Sequence, residues 1–203
     1  CNRVDEHHSI LGGALNDVGR AMTWLDETLK LPPAEELNEA LLAEPQHGLP
    51  VVLPWFSGER STGWVGEARA VLHRVSAATT AVDLYRATVE GVALSYARML
   101  RELVMVTGHP DQIIATGRVV ADAPGLMQMV ADATGVPVKP LAMRRSTLRG
   151  TALHAFRHLA PGVEPAPVPE GPTFEPHPDR LAHYHRRMER FQVLYDKVVA
   201  PAH

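Results

Sequence analysis

The sequence predicts an α/β domain with a largely parallel stretch of sheet, and three observations carry that reading. After residue 50, short apolar runs alternate with helix-period segments, the pattern of strands feeding crossover helices. A tight strand–loop–helix unit spans residues 112–134, its loop opened by Gly117 and its helix stopped by Gly135. At 203 residues, 45% apolar and 21% charged, the chain can bury a core of its own. The expected architecture is a mixed sheet of about five strands flanked by helices, with N-terminal strands adding antiparallel partners.

Residues 9–15 form an apolar run interrupted by Gly12 and Gly13, which suits a strand with a bend or a close backbone contact. Asn16 or Asp17 caps the next helix, which carries Met22, Trp24, Leu25 and Leu29 and is closed by Pro32 and Pro33. A short helix from Glu35 to Leu42 follows. Residues 50–56 read as a buried strand ended by Pro54, and 68–75 as an extended piece along a sheet edge. From Asp83 to Val106 a long helix shows Val89, Val92, Ala93, Tyr96, Met99, Leu100 and Leu103 on one face. Gly91 inside it costs about 1 kcal/mol against alanine, so it marks a close packing contact.

The strand 112–116, the loop 117–125 and a helix over 126–134 come next, then a strand over 136–141 and a helix over 149–159. Residues 161–178 hold seven of the 17 prolines and form an extended connector. The final helix starts near Pro178 and Asp179. Its apolar stripe is Leu181, Tyr184, Met188, Phe191, Tyr195 and Val198.

A net charge of −3 and a pI near 6.4 argue against a nucleic-acid or anionic-membrane surface. No apolar run approaches the roughly 20 residues that span a bilayer. A lone cysteine, Cys1, excludes an internal disulfide framework and fits a reducing compartment, with the cytoplasm as the expected location. The opening Cys-Asn-Arg-Val-Asp has neither an initiator Met nor a leader pattern, and the chain is expected to be a segment of a longer protein.

Six stretches resemble the FGGY family of carbohydrate kinases, and they occur in the family's order. Residues 12–25, GGALNDVGRAMTWL, are similar to a Gly-Gly or Glu-Gly pair before a small-residue helix ending in Trp-Leu. Residues 53–70, LPWFSGERSTGWVGEARA, resemble the family stretch LPYLxGERSPxWxPxARG, and TTAVDLYRATVEGVALSYARML resembles the helix after it. Residues 113–138 resemble the glycine-rich adenosine loop with its following helix, and 146–156 the SSRGAALLA helix. FEPHPDRLAHYHRRMERFQVLYDKV is similar to the terminal helix. Together these cover nearly the whole chain, with the gluconokinase and xylulokinase branches nearest in pattern and gluconokinase favoured.

The resemblance implies an actin-like ATPase (ribonuclease H-like) fold, with residues 1–203 as the C-terminal nucleotide-binding domain. It implies ATP and Mg²⁺ as cofactors. An N-terminal kinase domain outside this chain would supply the sugar contacts, the catalytic Asp and most metal ligands, so the chain alone is expected to be inactive. The substrate would be a sugar or sugar acid, with gluconate favoured, and the reaction phosphoryl transfer to a hydroxyl. Nucleic acid and membrane are not expected as partners, and a homodimer stays open. The rival reading is a degenerate, non-catalytic family domain with a binding or regulatory role.

By motif position Gly19 and Thr23 face the nucleotide. The alternative is a packing glycine beside a solvent-facing threonine. Gly117 ends a strand where α/β sheets bind ligands. Arg118 stands where the family has a second glycine; it could clamp phosphate, stack on adenine or fill the pocket. Asp122 could bond ribose or, preferably, cap the coming helix. Arg74 stands at another family glycine, and Ala70 at a third. Glu59 and Arg60 are expected to form a structural charge pair. His183 and His185, two apart on a helix, face different directions and do not chelate one ion. Arg144, Arg145 and Arg149 read as a solvated basic rim, and Met127, Met129 and Met143 as core filling. No residue is assigned a catalytic or metal-ligating role.

Overall fold

Two very short strands, β1 (Asn2–Arg3) and β2 (Ser9–Ile10), open the chain as an antiparallel hairpin. The turn between them is held by the Asp5 carboxylate, which accepts from the backbone N–H groups of His7 and His8 at 2.8 Å. The structure, a computed structural model, describes residues 1–117, 123–143, 145–160, 162–169 and 171–199. The strand expected over 9–15 is regular only at Ser9–Ile10. Beyond it, Ala14 exchanges hydrogen bonds with Ser61: its N–H donates to Ser61 Oγ at 2.8 Å and its carbonyl accepts from Ser61 N at 3.0 Å. Pairing with a loop replaces pairing with a strand.

Helices α1 (Val18–Thr28) and α2 (Ala34–Leu42) follow, then β3 (Val51–Leu53) and β4 (Val71–His73). The long helix is α3 (Ala81–Thr107). It starts earlier than its apolar stripe because Thr80 and Asp83 form a capping box, each side chain bonding the other's backbone N–H. Strand β5 (Ile113–Ala115), α4 (Pro124–Thr134) and β6 (Val138–Pro140) form one parallel unit, with Ile113 opposite Val138. Helices α5 (Ser146–Leu159) and α6 (Leu181–Val198) complete the order. Among the described residues, none of these helices is long and apolar enough to cross a membrane.

The strands do not join into one mixed sheet of about five. Among the described residues they pair as three two-stranded sheets: β1–β2 and β3–β4 antiparallel, β5–β6 parallel. Helix α3 is the central element, packing against β3, α1, α2, α4 and α6. Its residues Tyr85–Ser95 are all buried. At Gly91 a Cβ would run into the Val52 carbonyl, so glycine is what lets the helix lie directly on β3.

The buried centre of α3 carries charge as well as apolar surface. Glu90 pairs with Arg187 of α6, whose remaining guanidinium N–H groups donate to the carbonyls of Leu49 at 2.9 Å and Pro50 at 2.6 Å. The expected stripe of α6 therefore needs amending. Tyr184, Met188, Phe191 and Tyr195 are buried, Leu194 joins them, and Val198 is exposed. Trp55, just after β3, meets Phe191 and Tyr195 edge-on at 5.6 and 5.3 Å between ring centroids.

Two glycine-to-alanine changes separate packing from propensity. Gly150 lies in α5 with open space where a Cβ would sit, so Gly150→Ala is expected to be neutral or to stabilise by up to about 1 kcal/mol. Gly91→Ala gains the same propensity but forces α3 off β3, and a net loss of about 1–3 kcal/mol is expected. Urea unfolding of both variants against the parent measures the contrast; equal effects would contradict the close approach at Gly91.

Candidate functional site

Helix α1 turns Ala21 and Leu25 fully into the core. On the face it leaves outward, Gly19, Met22, Thr23 and Asp26 recur at i, i+3, i+4 and i+7. This face is one wall of a cleft of about 520 Å³. Leu37, Asn38 and Leu41 of α2 form the second wall, Tyr85 enters from the first turns of α3, and Ala123 closes the end just before α4.

Each wall is held in place by its own polar contacts. Asp17 occupies the N-cap position of α1, but its carboxylate does not cap the helix. It accepts instead from Ser57 N at 2.8 Å and Ser57 Oγ at 2.6 Å, tying α1 to the loop after β3. Asn38 reaches across to α4, its Oδ1 accepting from Gly125 N at 3.0 Å, which satisfies one of the free N–H groups of that helix's first turn. A Cβ on Gly125 would strike Leu41, so α2 and the head of α4 touch through the glycine. Pro124 stands at the start of the helix, where its missing N–H is no loss.

The polar groups offered to the cleft are few. Thr23 Oγ1 donates to the Gly19 carbonyl at 3.2 Å, leaving its lone pairs to accept. Burial pushes the Tyr85 phenol up, and the Asp26 carboxylate adds to the rise, so at neutral pH Tyr85 carries its proton and serves as a donor. No lysine or arginine lines the cleft among the described residues.

Of the expected site residues, the structure brings Gly19 and Thr23 together in this cleft. Gly117, two residues beyond β5, has φ of +111° and open space around its missing Cβ, a backbone that glycine alone adopts readily. It does not line the described part of the cleft. Arg118 and Asp122 lie outside the described residues, as does Arg144. The N-cap position of α4 is Ala123. Sequence reasoning passed over Asp26, Asn38 and Tyr85. The i+7 spacing from Gly19 was a signal for Asp26; nothing local pointed to the other two, which reach the cleft from separate helices.

The expected Glu59–Arg60 pair is not formed. Glu59 is buried and accepts from Arg98 Nη1 at 2.6 Å, Tyr195 Oη at 2.8 Å and Gly63 N at 3.1 Å, while Arg60 is exposed and lies over the Trp64 ring at 5.8 Å. Adjacent residues in a tight loop point apart, and the buried carboxylate takes the guanidinium that the core delivers. Arg74, at a family glycine position, has φ of +67°, the left-handed backbone for which glycine is the natural residue. His183 is buried and His185 exposed. Met127 and Met129 are buried in the core, and Met143 is half-buried.

Residues 2–159 match the model of the FGGY family of carbohydrate kinases, C-terminal domain. The chain belongs to that family. This FGGY domain is 28% identical over 187 residues to a ribulokinase of Mycolicibacterium smegmatis, covering 87% of this chain and 31% of that protein. It is 30% identical over 154 residues to a glycerol kinase of Trichlorobacter lovleyi, covering 75% of this chain and 31% of that protein. It superposes on a ligand-bound xylulose kinase from Lactobacillus acidophilus with a TM-score of 0.82 at 19% identity, over 93% of this chain and 40% of that one. A gluconate kinase from the same organism gives 0.81 at 19% identity over the same shares. The fold is therefore the mixed α/β, actin-like fold of the sugar kinases. The FGGY domain spans about a third, 31%, of the curated relatives it matches.

The Glu59 cluster holds the loop that carries the family's Gly-Glu-Arg-Ser motif. Glu59→Ala would leave Arg98 buried without its anion and is expected to destabilise by about 3–5 kcal/mol. Glu59→Gln keeps acceptors for Tyr195 and Gly63 and should lose less. Thermal unfolding of the two variants tests this ordering, and equal losses would contradict it.

Proposed function

We propose that this chain is the nucleotide-binding half of an ATP-dependent carbohydrate kinase that phosphorylates a hydroxyl of a sugar or sugar acid. One observation carries the reading: Gly19 and Thr23, the two helix positions assigned to the nucleotide by motif, line one cleft with Ala123, which heads the helix after the Gly117 loop. Residues 1–203 act as a single nucleotide-binding domain in this reading.

The cleft suits the adenosine part of the cofactor. Met22, Leu37 and Leu41 offer apolar surface to a purine, Gly19 lets it approach the α1 backbone, and Asp26 and Tyr85 supply an acceptor and a donor for ribose or ring nitrogens. It does not suit the phosphates, since no cation lines it among the described residues. Arg118, one residue beyond Gly117, is the candidate to meet them. Nor does it suit Mg²⁺: Asp26 is its one described carboxylate, and no step is assigned to the metal through this chain. ATP, when bound with its metal, supplies the phosphoryl group. The sugar contacts, the catalytic base and the metal ligands belong in this reading to an N-terminal kinase domain.

A gluconate-like substrate is favoured by the Cys-Asn-Arg-Val-Asp and Gly-Gly-Ala-Leu patterns near the chain's start. The non-catalytic alternative rests on the arginines at family glycine positions. Arg74 is exposed in the turn after β4 and does not line the cleft, so it leaves the nucleotide reading intact.

Two outcomes are expected. Calorimetric titration should show adenosine and ADP binding, weakened at least tenfold by Gly19→Val, a change on the order of 1.4 kcal/mol. Arg118→Gly, placed in the two-domain protein, should weaken ATP by about tenfold or more while sparing adenosine, because a charge-assisted bond contributes about 1.5–3 kcal/mol. Equal affinities for all ligands in all variants would sink the assignment of this cleft. Separately, the chain alone with ATP, Mg²⁺ and a panel including gluconate and xylulose should show background turnover only, and real turnover would overturn the division of labour.

A further inference from the structure

A second cavity, of about 350 Å³, lies at the far end of α3 from the nucleotide cleft. Arg101, on its wall, is 16 residues along α3 from Tyr85, roughly 24 Å at 1.5 Å per residue. The floor is apolar: Ala97, Leu100 and Val104 of α3 meet Ala133 of α4 and Met188 of α6. Its volume falls at the lower end of the roughly 300–1,000 Å³ of small-molecule sites.

Arg101 is the charged side chain on the lining, His109 and His185 add two imidazoles, and no carboxylate lines the cavity among the described residues, although the chain as a whole carries −3. None of the three has an ion pair or side-chain hydrogen bond among the described residues. Asp132, the residue before the α4 lining, is turned away, accepting from His177 N at 2.9 Å, Gln128 Nε2 at 3.0 Å and Arg180 Nη1 at 3.4 Å. Tyr184 also lines the cavity, and burial, with the Glu90 carboxylate next in effect, pushes its phenol far up, so it stays neutral.

Helix ends act in both directions here. The C-termini of α3 and α4 favour a cation, whereas α6 enters with its first two turns and favours an anion. At those C-termini Gly108 N donates to the Val104 carbonyl and Gly135 N to the Ala131 carbonyl, both at 2.9 Å. Among the described residues the side chains of Arg101, His109 and His185 take no part in these caps and are open to a bound group.

We propose that this cavity is a second small-molecule site, taking an amphipathic anion whose short apolar part rests on the floor and whose phosphate or carboxylate head lies between Arg101, His109 and His185. The site is independent of the nucleotide reading. Titration of the full chain with hexyl phosphate, hexanoate and hexanol tests it. Saturable one-to-one binding of at least one anion is expected, with hexanol about tenfold weaker or worse. A preference for hexyl phosphate or for hexanoate identifies the head group. Arg101→Ala, at an exposed position, should weaken the anion by about tenfold or more, and Ala97→Leu should block it by filling the floor. Absence of binding by both anions at millimolar concentration, hexanol binding as well as they do, an unchanged affinity in Arg101→Ala, or displacement by ADP would each overturn the proposal.

Discussion

A helix whose residues 85–95 are all buried has to be met by complementary surface on every side, and the rest of this domain is arranged to meet α3. Strand β3 lies along the Gly91 side, where the missing Cβ admits the Val52 carbonyl. Helices α1, α2, α4 and α6 cover the remaining sides. Such a helix cannot keep the polar outer face of a surface helix, so Thr88, Glu90 and Ser95 are satisfied inside, and Arg86 through one end of its guanidinium only. Thr88 and Ser95 donate back to carbonyls one turn earlier, both at 2.8 Å. Arg86 donates to the Glu44 carbonyl at 2.9 Å, and Glu90 takes Arg187.

These buried charges fix the arrangement more than they add to its stability. A buried ion pair returns little net free energy against well-packed apolar residues, but losing one partner is severe. Arg187 bonds Glu90 and two carbonyls at once, so α6 can dock on β3 and α3 in one register only. Glu59 plays the same part at the other end of α6, gathering Arg98, Tyr195 and Gly63. Asp132 does so for the connector, bonding His177 and Arg180. Three buried carboxylates thus pin the C-terminal third of the chain onto the part before it.

The cleft lined by α1 and α2 is a consequence of this packing. Because Ala21 and Leu25 are fully used inside, the opposite face of α1 is left free. Because α2 meets the head of α4 through Asn38 and Gly125, the two helices stay close on one side and open on the other. The cleft is the space between that free face of α1 and α2, and its residues come from four separate segments of the chain.

The sequence by itself determined the order of helices, the long helix with a contact at its glycine, the strand–Gly117 turn and the kinase family. Those features are written in local periodicity, glycine placement and motif order, which survive without knowledge of neighbours. Tertiary structure decided what lay between distant segments. Glu59 sits next to Arg60 in sequence but pairs with Arg98, because a buried carboxylate takes the partner the core brings to it. Asp17 holds the N-cap position yet bonds Ser57, since a loop N–H and hydroxyl were within reach. The single sheet expected from alternating strands became three short pairs among the described residues, because strand pairing depends on which edges the packing leaves adjacent. Asn38 and Tyr85 reached the cleft for the same reason: their place in it is set by how α2 and α3 pack, which no local pattern records.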